Sequence, residues 1–301
     1  MADDSLSLPF VASPVGDLGA AAAAAREAAR RWGLDAPELL RVGMNALFTS
    51  GDEVILRVGR VTADPAAGPW LVEHLAGVGL RVPRPLGPGP IRVGELTVFA
   101  HVREKPAGPV DWREVGAMVA RLHRLDPDPI RAHHPLPRAA AFPWWDFRRL
   151  LADVDDLLDE EARAGLERAV DQHGSWDRRG AVQVVCHGDV HPGNVVQSTA
   201  GAVLLDWDLL CLAPAAWDHA PLMTWTDRWG GEPGVYEHFS EGYGRSLRGD
   251  STAESLAVLR LAAATLMRVR AGRHDPVAAA EAARRLRWWR GEPDAPVWAA
   301  Q

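Results

Sequence analysis

Apolar and polar positions fall into blocks with different periods along the 301-residue chain. Asp17-Leu18-Gly19 leads into six alanines and then Arg26 to Trp32-Gly33. Alanine has the best helix propensity and Gly33 suits the stop beyond a last turn, so residues 17–33 are predicted to be helical. Leu39 to Ser50 reads as a strand, a turn and a strand. Gly51-Asp52 turns the chain again, into the β-branched strand Glu53-Val54-Ile55-Leu56-Arg57-Val58. From Pro69 to Gly79, Trp70, Leu71, His74, Leu75 and Val78 share one helix face and Glu73 lies on the other side. The proline-rich run from Arg81 to Pro90 excludes a regular element, because proline removes donors and fixes φ. Ile91-Arg92-Val93 and Glu95 to Ala100 predict a hairpin around Gly94. Val115, Met118, Val119, Leu122 and Leu125 recur at helical spacing behind Asp111, a suitable N-cap. Residues 126–143 read as an irregular loop. Helices are expected from about Trp144 to Gln172, and again from Glu254 to Trp289 with a break near Gly272 to Pro276.

A strand meander followed by helices describes an α+β chain. Lys105-Pro106-Ala107-Gly108-Pro109 is the best boundary signal, which puts a small lobe at residues 1–103 and a mainly helical one at 104–301. No internal repeat is evident. No apolar run approaches the roughly 18 residues of a membrane span. Met1-Ala2-Asp3-Asp4 lacks the basic start of a signal peptide, and Cys186 and Cys211 are too few for a disulfide framework, so a cytoplasmic setting is expected. The net charge of −7 argues against nucleic acid as a partner and is compatible with a cationic ligand. A monomer or homodimer is expected. Lys105 is the sole lysine, so arginine supplies the other basic side chains.

The chemistry concentrates in Val184-Val185-Cys186-His187-Gly188-Asp189-Val190-His191-Pro192-Gly193-Asn194, followed by Val203-Leu204-Leu205-Asp206-Trp207-Asp208. Each half is a short apolar strand with polar residues at its end. Phosphoryl transfer needs such a set: one Asp to orient the attacking hydroxyl, and an Asn and a second Asp to hold Mg²⁺. The two-residue alternation of a strand would put Asp208 on the same side as Asp206.

This paired motif resembles the catalytic and metal-binding loops of the aminoglycoside phosphotransferase and choline kinase-like family. The resemblance implies a bilobal protein-kinase-like fold and Mg²⁺-dependent transfer of the γ-phosphate of ATP or GTP to a hydroxyl of a small molecule. An aminoglycoside-type antibiotic or an amino alcohol is the leading acceptor class. It also implies Asp189 as the catalytic residue, Asn194 and Asp206 as metal ligands, and His187, His191 and Asp208 in support. Asp218, in Trp217-Asp218-His219, resembles a structural Asp of the family.

Arg57 occupies the place where the family often has a phosphate-binding Lys, and Glu73 resembles the partner of that basic residue. Gly43-Met44-Asn45 carries one glycine where a phosphate-covering loop has several, leaving backbone N–H groups and the Asn45 side chain to meet phosphate. The backbone of Ala100 and Val102 is the expected hinge for the nucleotide base. The acidic residues between Asp146 and Glu161 could steer a cation, and Trp144, Trp145, Trp225 and Trp229 could wall a sugar or ammonium group. A solvated helix face and ordinary core packing are the plainer readings of the two. The basic, aromatic run Arg284 to Arg290 reads as an amphipathic terminal helix. Two alternatives stand beside this function. One is a kinase of another metabolite, such as homoserine or a sugar. The other is an inactive kinase-like protein that binds a nucleotide or a partner.

Overall fold

The computed structural model describes residues 14–61, 64, 66–87 and 89–299. The acidic start of the chain and Pro88 of the connector lie outside the described residues. The first elements follow the predicted order. Helix α1 (Leu18–Trp32) is capped by the Asp17 carboxylate on the Gly19 N–H at 2.7 Å and ends at Gly33 in the left-handed region. Strands β1 (Glu38–Val42), β2 (Ala46–Ser50) and β3 (Val54–Arg60), helix α2 (Ala67–Gly77), and strands β4 (Ile91–Val93) and β5 (Leu96–Val102) follow. Next come α3 (Trp112–Leu122), α4 (Pro127–Arg131), α5 (Phe147–Asp153) and α6 (Glu160–His173). The catalytic-motif region forms β6 (Val184–Cys186), β7 (Val195–Ser198), β8 (Gly201–Leu204) and β9 (Cys211–Ala213). Helices α7 (Ala216–Met223), α8 (Trp225–Trp229), α9 (Val235–Tyr243), α10 (Ser251–Ala271) and α11 (Pro276–Trp289) complete the chain.

The residues group into two compact units. The first holds the described residues through Asp111, with Asp126–Leu136 and Pro192–Leu209. Its sheet runs β1-β2-β3-β5-β4 and is antiparallel throughout. One face is covered by α1. The buried residues Ala21, Ala24, Ala25, Ala28 and Ala29 form one helical stripe whose small side chains let the helix sit close to Phe48, Leu56, Val58 and Val98. Residues of alternate parity point the other way. Arg57 pairs with Phe99 and Ile55 with His101, so these side chains share the face turned away from α1. The β7–β8 hairpin also belongs to this unit, with Val195 opposite Leu204.

The second unit comprises Trp112–Leu125, Pro137–His191 and Leu210–Gln301. Helices α3 and α9 pack backbone to backbone. A Cβ on Gly116 would collide with the Phe239 carbonyl oxygen, and one on Gly242 with the Arg113 carbonyl oxygen. Two glycines thus permit a helix spacing that alanine forbids. Helix α10 is buried along much of its length and packs with α5, α6, α7 and α11. Trp145, Trp176 and Trp217 form an aromatic cluster, with Trp145 and Trp217 centroids 4.5 Å apart. Strand β6 pairs with β9, which sets the free thiols of Cys186 and Cys211 opposite each other.

Three local readings change. The expected irregular loop at 126–143 contains α4, whose Asp126 caps the Asp128 N–H at 3.0 Å and whose Pro127 suits a first turn. The strand expected to carry Asp206 and Asp208 ends at Leu204. The acidic stretch is largely committed within the fold. Asp146 and Asp159 cap α5 and α6, while Asp155, Asp156 and Asp159 pair with Arg163, Arg273 and Arg290. A stretch so neutralised offers little field to a cation. The terminal run behaves as an amphipathic helix end, burying Arg285, Leu286 and Trp289.

Overpacking of the α3–α9 contact should be costly. Gly116→Ala and Gly242→Ala are each expected to lower unfolding free energy by about 1–3 kcal/mol, read from urea midpoints at unchanged slope. A midpoint at the wild-type value would show that the helices can separate freely.

Candidate active site

In the second unit, the loop after β6 is fixed from below by one buried carboxylate. Asp218, on α7, is fully buried. Its Oδ2 accepts from the His187 N–H and its Oδ1 from the Gly188 N–H, both at 2.8 Å. His123 Nε2 lies 3.0 Å from Oδ2, and His123 Nδ1 lies 2.9 Å from the Tyr243 hydroxyl. Burial alone would raise the Asp218 pKa. The His123 hydrogen bond, the charges of His123 and His187 and the Gly188 N–H outweigh it and lower the pKa. Gly188 takes φ 95°, a conformation glycine adopts freely, and its carbonyl accepts from the Trp217 indole at 3.1 Å.

Asp189 is presented by this loop. Its Oδ1 accepts from Arg260 Nη2 at 2.9 Å, and its Oδ2 lies 3.4 Å from His191 Nε2. Burial pushes the carboxyl up, but His191, Arg260 and His187 together hold it well below the usual carboxylate range. Asp189 is therefore an ionised acceptor at neutral pH. His191 stacks on Trp225 at 6.3 Å. His187 is fully buried, and its Nδ1 lies 3.3 Å from the Asp189 N–H. Arg260 escapes sequence reading because it lies 71 residues along the chain from Asp189 on a helix with no motif.

In the first unit, Asn194 and Asp206 flank the same end of the β7–β8 hairpin. Asn194 directly precedes Val195, and its carbonyl accepts from the Leu205 N–H at 2.8 Å. Asp206 has φ 58°, the one positive φ outside glycine among the described residues. Such backbone strain concentrates at functional sites. The chain then enters a short 3₁₀ turn at Trp207–Leu209, so strand alternation does not relate Asp206 to Asp208. Asp208 instead takes an ion pair from Arg57, while Asn45 Nδ2 donates to its Oδ2 at 3.0 Å. Arg57 Nη2 stands 4.0 Å from Asp206 Oδ1. Burial opposes the charge on Arg57, but attraction to Asp208 and Asp206 prevails and raises its pKa. Nearby, burial lowers His101 to about 4, with Arg57 repelling the charged form.

Two expectations are corrected here. Glu73 is not an ion-pair partner of Arg57 among the described residues; the carboxylates that reach the guanidinium come from the segment after β8. At Ala100 and Val102, expected as the hinge, one backbone group each is already engaged. The Ala100 carbonyl accepts from the Leu86 N–H at 2.8 Å, and the Val102 N–H donates to the Arg84 carbonyl at 2.9 Å. The connector behaves as a sheet edge there, which its prolines concealed from sequence reading.

The phosphotransferase enzyme family profile matches residues 70–259. The chain belongs to this family. It is thus a phosphotransferase, and its fold is the α+β protein-kinase-like one. Among curated proteins, none matches the chain by sequence. Among solved structures, spectinomycin phosphotransferase in complex with ADP and spectinomycin is 15% identical, covering 89% of this chain and 93% of that one at a TM-score of 0.66. The GDP and kanamycin complex of APH(2")-IIia is also 15% identical, with coverages of 86% and 94% and a TM-score of 0.66. A choline/ethanolamine kinase family protein from Mesorhizobium loti is 16% identical, with coverages of 86% and 88% and a TM-score of 0.59. At these identities the likeness is one of fold.

Acid should unfold the protein through two buried groups of the second unit. Burial lowers His219 to about 3 from 6.5. The unfolded chain therefore takes up that proton first, and stability falls as pH drops below about 6.5. The folded pKa of Asp218 also lies below its ordinary 3.8, so a second loss begins under that pH. In urea titrations, Asp218→Asn should shrink the second loss, leaving the part that belongs to Asp189. Asp218→Ala should lower stability at pH 7 by about 3 kcal/mol by leaving buried donors unpaired. Equal acid profiles for wild type and Asp218→Asn would refute the assignment.

Proposed function

We propose that this protein transfers the γ-phosphate of ATP or GTP to a hydroxyl of a small molecule, with Mg²⁺, in the cytoplasm. Residues 1–103 serve as the nucleotide-binding lobe and 104–301 as the catalytic and acceptor lobe. An aminoglycoside-type antibiotic or an amino alcohol is the leading acceptor class. The observation that supports the reading best is the loop geometry: Asp189 stands ionised on a backbone pinned by Asp218.

The Asn194 amide oxygen and the Asp206 carboxylate are hard oxygen donors at one hairpin end, a set that fits Mg²⁺ completed by water and phosphate. When bound there, the ion would neutralise phosphate charge. Arg57, aimed by Asp208, meets the donor phosphates with its planar fork, and Asn45 steadies the same carboxylate. Asp189 orients the acceptor hydroxyl and takes its proton. The acceptor oxygen bonds to the γ-phosphorus, the bond to the bridging oxygen breaks, and its electron pair leaves with the nucleoside diphosphate. Because the transition state is loose, placing the hydroxyl matters more than a strong base.

Thermal melts with Mg²⁺ plus ATP or GTP, followed by an acceptor screen, test this. Nucleotide at about 100 times Kd should add about 2.7 kcal/mol of stability, and only with the metal. The screen spans aminoglycosides, amino alcohols, homoserine and sugars. Asp189→Asn should abolish transfer and leave the melt shift intact, whereas Arg57→Ala should shrink the shift. An active Asp189→Asn enzyme would remove Asp189 from the mechanism. No shift with either nucleotide would favour a protein that binds a partner without catalysis.

A further inference from the structure

The second unit holds a cavity of about 530 Å³, within the range of small-molecule sites, and neither Asp189 nor His191 lines it. Its apolar walls include Ala120 of α3, Val184 of β6, Pro214, Ala216 of α7 and Leu247, brought together from distant stretches of the chain. Val182, another lining residue, is 80% exposed. The polar lining comprises His123, Arg124, Tyr243, Arg245, Asp250 and Thr252. Asp250 is committed as the N-cap of α10, where its Oδ1 accepts from the Thr252 and Ala253 N–H groups, both at 2.9 Å. His123 Nδ1 lies 2.9 Å from the Tyr243 hydroxyl, and Arg245 hydrogen-bonds the same phenol. The exposed Arg124 and Arg245 lack a counter-charge: among the described residues, no carboxylate pairs with either. Elsewhere along α9, Arg113 and Arg248 pair with Glu241 and Glu237. Uncompensated guanidinium groups beside apolar walls favour an anion with an apolar body.

We propose that this cavity binds a small amphipathic anion, an apolar chain or ring ending in a carboxylate or phosphate, and that its occupancy is felt at the loop carrying Asp189. The guanidinium fork matches either head group, and withdrawal of the apolar body from water supplies affinity. The link to the loop is a chain of hydrogen bonds that starts in the cavity lining. The Tyr243 hydroxyl meets His123 Nδ1 at 2.9 Å, His123 Nε2 meets Asp218 Oδ2 at 3.0 Å, and that oxygen accepts from the His187 N–H at 2.8 Å. Asp218 Oδ1 holds the Gly188 N–H at 2.8 Å. An anion that engages Arg245 draws its donors away from the Tyr243 phenol, and each member of such a chain polarises the next. The site extends beyond the phosphotransfer reading, because no residue assigned there to hydroxyl, metal or nucleotide lines the cavity.

The test is an NMR titration of the full chain with hexanoate and hexyl phosphate, set against hexanol, hexylammonium and acetate. The amides of Val184, Gly244 and Leu247 should shift saturably with at least one hexyl anion, at a Kd of about 1 mM or tighter, the range open to so few heavy atoms. The tighter of the two anions assigns the head group. Hexanol, hexylammonium and acetate each lack the charge or the body and should bind about tenfold or more weakly. In the double variant Arg124→Gln, Arg245→Gln, the anion should fall to the level of hexanol. The His187 and Gly188 amides should shift with the same Kd. Tyr243→Phe should diminish that response while leaving binding within about threefold. No saturable shift with either anion would overturn the proposal. Hexanol or hexylammonium binding as tightly as the anions would also overturn it, as would unchanged binding by the double variant. If that variant does not fold, the comparison of probes on the wild type decides alone. Anion binding that leaves the His187 and Gly188 amides unmoved would overturn the link to the loop. Nucleotide enters none of these titrations, so a failure here and a failure of phosphotransfer are separate results.

Discussion

A carboxylate with no solvent contact holds the loop that carries Asp189, and several elements of the second unit converge to keep it charged. Asp218 accepts from consecutive backbone N–H groups and meets His123, which in turn reaches Tyr243. Each member comes from a different element: the loop after β6, helix α7, the end of α3 and the end of α9. Burying an ionised group is costly unless every lone pair is used. The α3–α9 contact therefore has a chemical consequence. Gly116 and Gly242 let those helices approach closely enough for His123 and Tyr243 to complete the chain. Packing, and not a local motif, decides whether His187-Gly188-Asp189 is a defined turn.

The first unit solves a different problem with the same currency of charge. Strand alternation turns Arg57 away from the alanine face of α1, into a region with Phe99 and His101. A guanidinium there needs a counter-charge. Asp208 supplies it from a 3₁₀ turn that follows the strained Asp206. The fold thereby links Arg57 of β3 to the segment that carries Asp206 and Asp208. A lysine would present a point charge suited to one carboxylate, whereas the arginine fork can address Asp208 and lie near Asp206 at once. The partner changes from Glu73 to Asp208 along with the side chain.

Much of this was legible in the chain itself. Helix α1 with Asp17 and Gly33 at its ends, the β-branched strands, the connector and the His187-to-Asp208 motif follow from propensity, periodicity and spacing. The remainder was hidden for physical reasons. Arg260 acts across 71 residues of sequence, and a single arginine carries no local signature; Asp218 is marked as structural by resemblance, but its partners about 30 residues away are not. The commitment of Ala100 and Val102 to Leu86 and Arg84 was masked because prolines made the connector look unable to pair. It pairs because the groups it uses are the Leu86 N–H and the Arg84 carbonyl, which flank Pro85 and do not depend on it. Asp206 broke the alternation rule since a positive φ ends a strand, and no sequence signal marks that turn in a non-glycine residue.

Arginine, which supplies all the basic side chains but Lys105, shapes the electrostatics of the second unit. Arg163, Arg273 and Arg290 neutralise the acidic stretch, and Arg260 offsets Asp189. The long-range field of that stretch is correspondingly weak. Contacts near Asp189 are supplied by rings: Trp225 beside His191, and Trp144 beneath Arg260. Rings select by shape and by the C–H faces or cations they can stack against. Ring packing of this kind is less sensitive to salt than a cluster of unpaired charges, because screening acts on separated charges and leaves van der Waals contact untouched.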